Sequence, residues 1–251
     1  MTPAVTIRLL GGLTNQMFHR AYGLALEHRG YDVKYSTSVL VPGTYQEYSL
    51  GEFGDIPFGE EYEQIYPEGS FAFNVAHLNP PENTTLYGYW QNEKYFKDIE
   101  SKIRYAFRFQ TKLSEYANQV LSDIRRSDSV FVHVRRKYYV DLPHYHGTLT
   151  PEWYRSALAL IPKANIFMFS DDPEWCKQNF NYRLVEGTTK YEDLQLMAAC
   201  KHAVIANSTF SWWGAWLGEG DSDRKIVAPK QWFTDKFANE TQIVPERWLN
   251  L

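Results

Sequence analysis

Residues 4–36, AVTIRLLGGLTNQMFHRAYGLALEHRGYDVKYS, decide the fold class. The alternating, β-branched residues 5–10 predict a strand, and the paired glycines of the turn 11–15 come directly after it. A helix is predicted over residues 16–28, with the asparagine at the end of the turn as its cap. Residues 31–36 favour a second strand, so the segment predicts a strand–helix–strand unit with glycines where the first strand meets the helix.

The same alternation of strands and helices recurs in the second half of the chain. Strands are predicted at residues 130–135, 166–170, 183–185, 203–206 and 225–228, and helices at 151–160, from 173 onward, at 191–202 and at 210–217. Such alternation predicts a parallel sheet with helices on both faces.

Between these two parts the signals are weaker, and residues 37–81 predict loops and short elements. The remaining predicted elements are a strand at 86–90 and helices at 96–109 and 113–126. With the break placed near residues 126–128, the sequence predicts a two-domain α/β protein with Rossmann-like domains over residues 1–126 and 127–251.

The composition is that of a globular protein, because 44% of the 251 residues are hydrophobic and 22% are charged. The net charge of −4 argues against nucleic acid as the main partner, so a bound anion should be met by a local group of cations. Aromatic residues reach 16%, which suits either core packing or surfaces for sugars and bases. Cys176 and Cys200 are expected to be reduced core residues.

The start of the chain and its apolar runs bear on localisation. Residues 1–8 lack the basic leader and the apolar run of a signal peptide. No apolar run approaches the ~20 residues that span a bilayer. We therefore expect a cytoplasmic protein without a transmembrane segment, or one peripheral to the inner membrane. The oligomeric state is left open.

In parallel α/β sheets, ligands bind beyond the carboxyl ends of the strands, so the residues there are the candidates for a site. The first group is the turn that holds Gly12, Asn15 and Gln16. Paired glycines let a ligand approach the backbone, and a helix N-terminus favours anions. The G-x-G-x-x-G and P-loop patterns are absent, so this turn alone is as consistent with a tight turn as with a binding site.

The second group lies in the stretch VHVRRKYY, residues 132–139. Strand alternation places His133, Arg135 and Lys137 on one face. A row of cations at the carboxyl end of a strand suits a diphosphate, because the forked donors of arginine match phosphate oxygens. An arginine pair that bridges to acids on neighbouring helices is the equally consistent alternative.

The third group combines small polar residues with the start of a helix. Asn207, Ser208 and Thr209 offer hydroxyls and backbone N–H groups that can hold a phosphate, although an N-cap before a tryptophan-rich core helix is the alternative. Asp172 is most simply an N-cap, whereas Asp171 could accept hydrogen bonds from a base.

A metal site is poorly supported by the sequence. His144 and His146 lie in a predicted loop without an obvious third or fourth ligand, and no D-x-D stands at a clear strand end. We therefore expect no metal.

Six segments together resemble one family. The chain contains, in order, GGLTNQMFHRA, LYGYWQNEKYF, HVRR, FSDDPEWCKQNF, YEDLQLMAACKHAVIANSTFSWWGAWL and KIVAPKQWF. Over residues 8–233 it thereby resembles the α-1,2-fucosyltransferases. The resemblance implies a GT-B fold, in which two Rossmann-like domains face each other across a cleft, the first on the acceptor side and the second holding the nucleotide sugar. It also implies inverting transfer from GDP-fucose to the 2-hydroxyl of a terminal β-galactoside glycan, without a metal or another cofactor.

The resemblance further implies roles for individual residues. Arg135 would stabilise the departing β-phosphate, since fixed cations and N–H dipoles must neutralise it when no divalent ion does. Ser208 and Thr209 would bind the diphosphate. His133 and Asp171 would lie near the guanine and ribose, and Asn15 and Gln16 would face the reacting sugar. The remaining implied binding residues are Gly12, Arg136 and Asn207.

The catalytic base is left open among three residues. They are His19, which stands where the family typically carries glutamine, Glu47 and Glu93.

The chain departs from the family pattern H-x-R-R-G-D-Y, because Lys137 replaces the glycine and Tyr138 replaces the aspartate. If the strand stays regular, the missing acid would lie on the face of Arg136, and Asp141 is a candidate to replace it. Two other functions stay open: a sugar-binding protein without catalysis, and a transferase that uses another GDP-sugar.

Overall fold

The computed structural model describes residues 2–141, 143, 144, 146–220, 223–234 and 242–251. Contacts within the chain divide it into two compact units, Met1–Gln110 with Glu240–Pro245 and Thr111–Asn239 with Glu246–Leu251. Each unit contains a parallel sheet of its own.

The first unit is built on a four-stranded sheet. Its strands are β1 (Ala4–Arg8), β2 (Asp32–Ser36), β3 (Ile65–Pro67) and β4 (Thr84–Tyr87), in the order β2-β1-β4-β3. Its helices are α1 (Leu13–His28) and α2 (Glu100–Ala106), with short 3₁₀ helices at Leu50–Phe53, Val75–Leu78, Glu93–Tyr95 and Lys97–Ile99. All strand pairs are parallel.

Helix α1 connects β1 to β2 and is buried along most of its length. Gly23 is required by close packing, because a Cβ at this position would lie 1.9 Å from the hydroxyl oxygen of Tyr35 in β2. Near the middle of α1, Tyr22 stacks on Trp90, with 4.6 Å between the ring centroids. These contacts fix the start of α1 beyond the carboxyl end of β1.

The second unit is built on a six-stranded sheet. Its strands are β5 (Ser129–Val134), β6 (Asn165–Ser170), β7 (Arg183–Leu184), β8 (His202–Val204), β9 (Ile226–Ala228) and β10 (Leu249–Asn250). Its helices are α3 (Glu115–Arg125), α4 (Lys137–Val140), α5 (Pro151–Ala159), α6 (Pro173–Asn179), α7 (Lys190–Ala199) and α8 (Thr209–Leu217).

The strand order of this second sheet is β7-β6-β5-β8-β9-β10, and all pairs are parallel. Starting from β5, the chain adds strands first on one side and then on the other, which is the doubly wound order of Rossmann-like sheets. The order reverses between β5 and β8. Loops diverge at such a switch point, and ligands bind in the resulting crevice.

The α/β class and the two parallel-sheet units of the GT-B type, as expected from the sequence, are confirmed. A cleft between the two units stays a prediction. The division by contacts falls at residues 110 and 111, whereas the sequence places the break near 126. Helix α3 packs on α7 of the second unit, and the N–H of Ser114 donates to Glu192 at 2.7 Å.

Three local predictions differ from the structure. Helix α1 begins at Leu13 with Gly12 as its N-cap, so the predicted cap Asn15 lies inside the first turn. Strand β5 ends at Val134, and Lys137 begins α4, so strand alternation does not reach Lys137. The sequence also misses β3 and β10, because strands of two or three residues carry almost no periodicity.

Within the described residues, no helix combines the length and the apolar character that crossing a bilayer requires.

Candidate active site

The carboxyl ends of β5, β6 and β8 lie side by side at the switch point of the second sheet. The register pairs Val134 of β5 with Ser170 of β6, and Val132 of β5 with Val204 of β8. The residues that follow these three strands therefore meet at one edge. This edge, called the switch-point site below, carries His133, Arg135, Arg136, Asp171, Asp172, Asn207, Ser208 and Thr209.

Arg135 and Asp171 form an ion pair at this edge. Arg135 Nη1 lies 3.0 Å from Asp171 Oδ2, and the two side chains are 32% and 20% exposed. The other carboxylate oxygen of Asp171 accepts from the backbone N–H of Arg136 at 2.8 Å. Arg135 Nε is buried and has no hydrogen-bond partner among the described residues, so the guanidinium keeps a donor that protein atoms do not satisfy.

Arg136 has a different set of neighbours. Its Nε lies 3.4 Å from Asp172 Oδ2, and its guanidinium carbon lies 4.2 Å from the ring centroid of Trp175. Asp172, rather than Asp141, is thus the acid beside Arg136 in this structure. Asp172 also caps α6 by accepting from the N–H of Trp175, so its predicted role as an N-cap is confirmed.

Tyr139 links two loops of the switch-point site. It lies in α4, is buried, and its hydroxyl donates to the backbone oxygen of Asn207 at 2.8 Å. Burial raises the pKa of this hydroxyl to about 12, so it stays a proton donor at neutral pH. Its ring stacks on His146 with 4.1 Å between centroids, and the Arg135 guanidinium lies 5.6 Å from the ring centroid. Tyr139 was not among the predicted site residues, because no helix was predicted directly after β5.

His133 is a buried, uncharged group beneath this edge. It is 5% exposed, and its ring lies 5.6 Å from the ring of Phe210. Burial, and then the nearby Arg135, lower its pKa to about 3. Within the described part of the chain its Nδ1 is buried without a hydrogen-bond partner. His133 therefore contributes a neutral ring nitrogen and not a third cation.

The loop from β8 to α8 is held rigidly. The side-chain amide of Asn207 donates to the carbonyls of Gly147 and Trp232, each at 2.9 Å. Ser208 caps α8 by accepting from the N–H of Phe210 at 3.3 Å, and Thr209 is the first helical residue. The N-cap interpretation of Ser208 is therefore confirmed. The start of α8 and Arg135 follow the neighbouring strands β8 and β5 at the same edge of the sheet, and a helix N-terminus favours an anion.

The turn after β1 is the corresponding site in the first unit. Gly11 has φ +65°, and a Cβ there would lie 2.4 Å from Asn15 Nδ2, so glycine is required. Asn15 Oδ1 accepts from Gln91 Nε2 at 3.0 Å, which joins the ends of β1 and β4.

Gln16 is fully buried and fastens the loop that follows β2. Its Nε2 donates to the carbonyls of Gly11 and Glu47, each at 2.8 Å, and its Oε1 accepts from the N–H of Ser49 at 2.9 Å. Because protein atoms use these bonds, the side chain supports the turn and does not present a free amide.

His19 is fully buried in α1. Its Nε2 lies 2.8 Å from the carbonyl oxygen of Gly88, so Nε2 carries the proton and donates to it. Burial lowers the pKa of His19 to about 4. A neutral, enclosed imidazole with this hydrogen bond positions the segment after β4, and no solvent reaches it.

Glu68 is the titratable group that sequence reasoning missed. It follows β3, and its carboxylate accepts from the N–H groups of Tyr89 at 2.7 Å and Trp90 at 3.0 Å. Burial raises its pKa to about 7. The segment from Gly88 to Trp90 is thus hydrogen-bonded to both His19 and Glu68. A carboxyl group whose pKa lies near 7 is suited to accept and release a proton at neutral pH. No local sequence pattern identifies Glu68, because the N–H groups that it binds belong to residues 21 and 22 positions further along the chain. The backbone of Trp90 makes this contact with a positive φ of 54°.

In the part of the chain that the structure describes, no three His, Cys, Asp or Glu side chains are grouped to hold a metal ion.

The fold and the position of the switch-point site together define a class: α/β proteins with a doubly wound sheet, in which ligands bind beyond the carboxyl ends of the strands. Comparison with known proteins then identifies the family. A family model described as "Glycosyl transferase family 11" matches residues 46–251, and the chain belongs to this family of glycosyltransferases. The resemblance to the α-1,2-fucosyltransferases noted in the sequence is thereby confirmed at the level of the family.

The chain is also similar to individual known proteins. The chain is 30% identical to an alpha-1,2-colitosyltransferase of Escherichia coli, over 98% of each chain. It is 26% identical to the galactoside alpha-(1,2)-fucosyltransferase 1 of Homo sapiens, over 62% of this chain and 49% of that protein. Among solved structures, fucosyltransferase NodZ from Bradyrhizobium superposes with a TM-score of 0.49 at 16% identity, over 86% of this chain and 92% of NodZ.

Proposed function

We propose that this chain transfers L-fucose from GDP-fucose to the 2-hydroxyl of a terminal β-galactoside, with inversion and without a metal. The observation that carries the proposal is Arg135, which has an unpaired Nε and an ion-paired Nη1 and follows β5 at the sheet edge where β8 leads into α8. An arginine fork and a helix N-terminus at one edge of a sheet together suit a diphosphate. Family membership supplies the reaction class.

In the proposed reaction the acceptor 2-oxygen attacks the anomeric carbon of fucose from the face opposite the diphosphate. The bond from this carbon to the β-phosphate oxygen breaks, GDP leaves with the electron pair, and the hydroxyl proton passes to a base. Arg135 and the N–H groups at Ser208 and Thr209 would stabilise the negative charge that develops on the phosphate. Asp171 would hold the Arg135 fork in place, and Arg136 would add positive charge.

The nucleoside would be bound by the buried part of the switch-point site. His133 Nδ1 and Asn207 Oδ1 are buried polar atoms without a hydrogen-bond partner among the described residues. Each unsatisfied atom of this kind destabilises the folded protein by about 1–3 kcal/mol. Hydrogen bonds to guanine or ribose would offset this loss of stability. Neither residue carries charge, which suits a nucleoside better than its phosphates.

The acceptor side would be formed by the first unit. Asn15 and the turn at Gly12 lie at the carboxyl edge of its sheet, with Gln16 supporting the turn. Glu68, with a pKa near 7, is the strongest candidate for the base. His19, fully buried and bonded to Gly88, would position the segment that carries Tyr89 and would not contact the acceptor.

A second donor is supported by a specific observation. The relative that matches 98% of this chain is a colitosyltransferase, and colitose is a fucose that lacks the 3-hydroxyl. A transferase that uses GDP-colitose is therefore the second candidate. A hydrogen bond to the 3-hydroxyl would discriminate between the two donors, because a buried partner left unpaired is costly.

The test is a donor comparison with one acceptor. The protein is incubated with lactose and, separately, GDP-fucose, GDP-colitose or GDP-mannose, and lactose-dependent GDP release is measured. The proposal predicts the highest kcat/KM with GDP-fucose. A higher value with GDP-colitose would select the second candidate. Binding of GDP without turnover of any donor would support the non-catalytic sugar-binding alternative.

A further inference from the structure

The first unit contains a pocket that the residues proposed so far do not use. It has a volume of about 280 Å³ and is lined by Thr37, Leu40, Pro42, Tyr48 and Phe58. Small-molecule sites run from about 300 to 1,000 Å³. The pocket therefore suits a ligand part of about one sugar ring and is too small for a nucleotide sugar.

The position of the pocket relates it to the acceptor side. Thr37 directly follows β2, and Phe58 is held beside β2 by a parallel bridge to Tyr35. The N–H of Tyr35 donates to the carbonyl of Pro57 at 2.9 Å, and the N–H of Gly59 donates to that of Tyr35 at 3.1 Å. The pocket thus opens at the carboxyl edge of the first sheet, where ligands of parallel sheets bind.

The pocket wall and the glycine turn after β1 are one packed structure. Gln16 bonds to Glu47 and Ser49, on either side of the pocket residue Tyr48. Tyr45 packs on Gly12, where an added Cβ would lie 3.1 Å from the Tyr45 carbonyl oxygen. The pocket wall is therefore anchored to the glycine turn, so the pocket lies next to the turn.

The chemistry of the wall points to a neutral sugar. None of its five lining residues is charged, which disfavours a phosphate. Phe58 is 54% exposed, and the ring of Tyr48 meets it edge-on with 5.3 Å between centroids. The ring of Phe58 is therefore accessible to a ligand at the pocket wall. Aromatic rings with a polar tip bind the apolar face of a sugar ring and its hydroxyls together.

We propose that this pocket binds the sugar on the reducing side of the accepting galactoside, a neutral hexose or N-acetylhexosamine. The inference rests on the proposed transfer to a galactoside and adds that the enzyme selects a disaccharide end over a single galactose. Phe58 provides the stacking surface, and Tyr48 provides the second wall.

The test compares two acceptors, lactose and methyl β-galactoside, in the wild type and in Phe58→Ala. The expected result is a rise of about tenfold in the KM for lactose in the variant, since one stacked ring is lost. The kcat, the KM for GDP-fucose and the kinetics with methyl β-galactoside should not change. Tyr105→Ala is the matched control, because Tyr105 is a 65% exposed aromatic of the same unit outside the pocket.

A second variant, Thr37→Trp, fills the pocket instead of removing a wall. It should abolish the preference for lactose and leave transfer to methyl β-galactoside intact. Equal losses with both acceptors, or an unchanged KM for lactose in both variants, would overturn the proposal.

Failure of the proposed function would be recognised separately. If the wild type transfers no sugar at all, saturation-transfer NMR with wild type and Phe58→Ala still measures whether lactose binds in the pocket. Contacts to the glucose ring that are present in the wild type and disappear in the variant would support binding of the reducing-side sugar in the pocket, even without transfer. The absence of these contacts from the wild type would refute such binding.

Discussion

Replacing Arg135 separates its proposed catalytic role from its role in the fold. Arg135→Ala removes the guanidinium that is paired to Asp171 at 3.0 Å and leaves the rest of the switch-point site in place. Loss of one fixed donor to developing charge typically lowers kcat by about 100-fold or more, or about 2.7 kcal/mol. We therefore expect at least this loss with GDP-fucose and lactose.

The expected cost in stability is smaller. The ion pair is partly exposed and is worth about 0.2–1 kcal/mol. The contact with the Tyr139 ring, at 5.6 Å, adds about 0.5–1 kcal/mol. A loss of about 1–2 kcal/mol corresponds to a fall in Tm of roughly 2–8 °C in a chain of this size. The variant should therefore be folded at 25 °C and still be nearly inactive.

The assay is initial-rate GDP release, with GDP affinity measured by calorimetry and Tm by circular dichroism. Lys137→Ala is the matched control, because Lys137 is an exposed cation two residues away that begins α4. Its kcat should stay within about threefold of the wild type. Arg135→Lys keeps the charge without the fork and should fall between the two. Near-normal turnover by Arg135→Ala, or an equal loss in Lys137→Ala, would refute the reasoning.

Three further predictions concern Tyr139, Glu68 and the metal dependence of the rate. Tyr139→Phe leaves the buried carbonyl of Asn207 without its donor, so the free energy of unfolding should fall by about 1–2 kcal/mol in urea titrations and the KM for GDP-fucose should rise. Glu68→Gln should abolish the rise in kcat as pH increases through about 7. Because the pKa of Glu68 is raised in the folded protein, the wild type should lose up to about 3 kcal/mol of stability as pH rises from 4.5 to 7. The variant should not show this loss in pH-dependent melting. EDTA should change the rate of dialysed enzyme by less than about twofold, because fixed cations and N–H groups are proposed to neutralise the diphosphate, and a loss restored by Mg²⁺ would contradict this.

Local signals predicted much of the fold. Thr150 and Asp172 cap the helices that the sequence predicted, because a cap depends only on the three or four residues that follow it. The residues after β5, β6 and β8 converge as expected, because parallel strands bring their carboxyl ends to one edge.

The partners within the site were less predictable. Two possibilities were left open for the arginines, a phosphate site or bridges to acids. The structure shows the bridges, from Arg135 to Asp171 and from Arg136 to Asp172. The partners of each bridge are 36 residues apart in sequence, and the register of β5 on β6 brings them together. A bridged arginine with an unsatisfied Nε is compatible with both possibilities.

Extending strand alternation past Val134 was the main error. Arg136 has φ −139° and ψ −56°, so the chain leaves the strand before Lys137 and turns into α4. Tyr139 thereby becomes buried against Asn207, which no strand register would predict. Glu68 was missed for a similar reason, since its raised pKa depends on the backbone of Tyr89 and Trp90, 21 and 22 residues away.

The linkage of the reaction product tests the central claim most directly. Wild-type enzyme is incubated with GDP-fucose and lactose, and the trisaccharide is analysed by two-dimensional NMR. The proposed function predicts an α-configured fucose whose anomeric proton correlates with carbon 2 of galactose. A fucose linked to another hydroxyl, a β-configured product, or no trisaccharide under conditions in which GDP binds would contradict it.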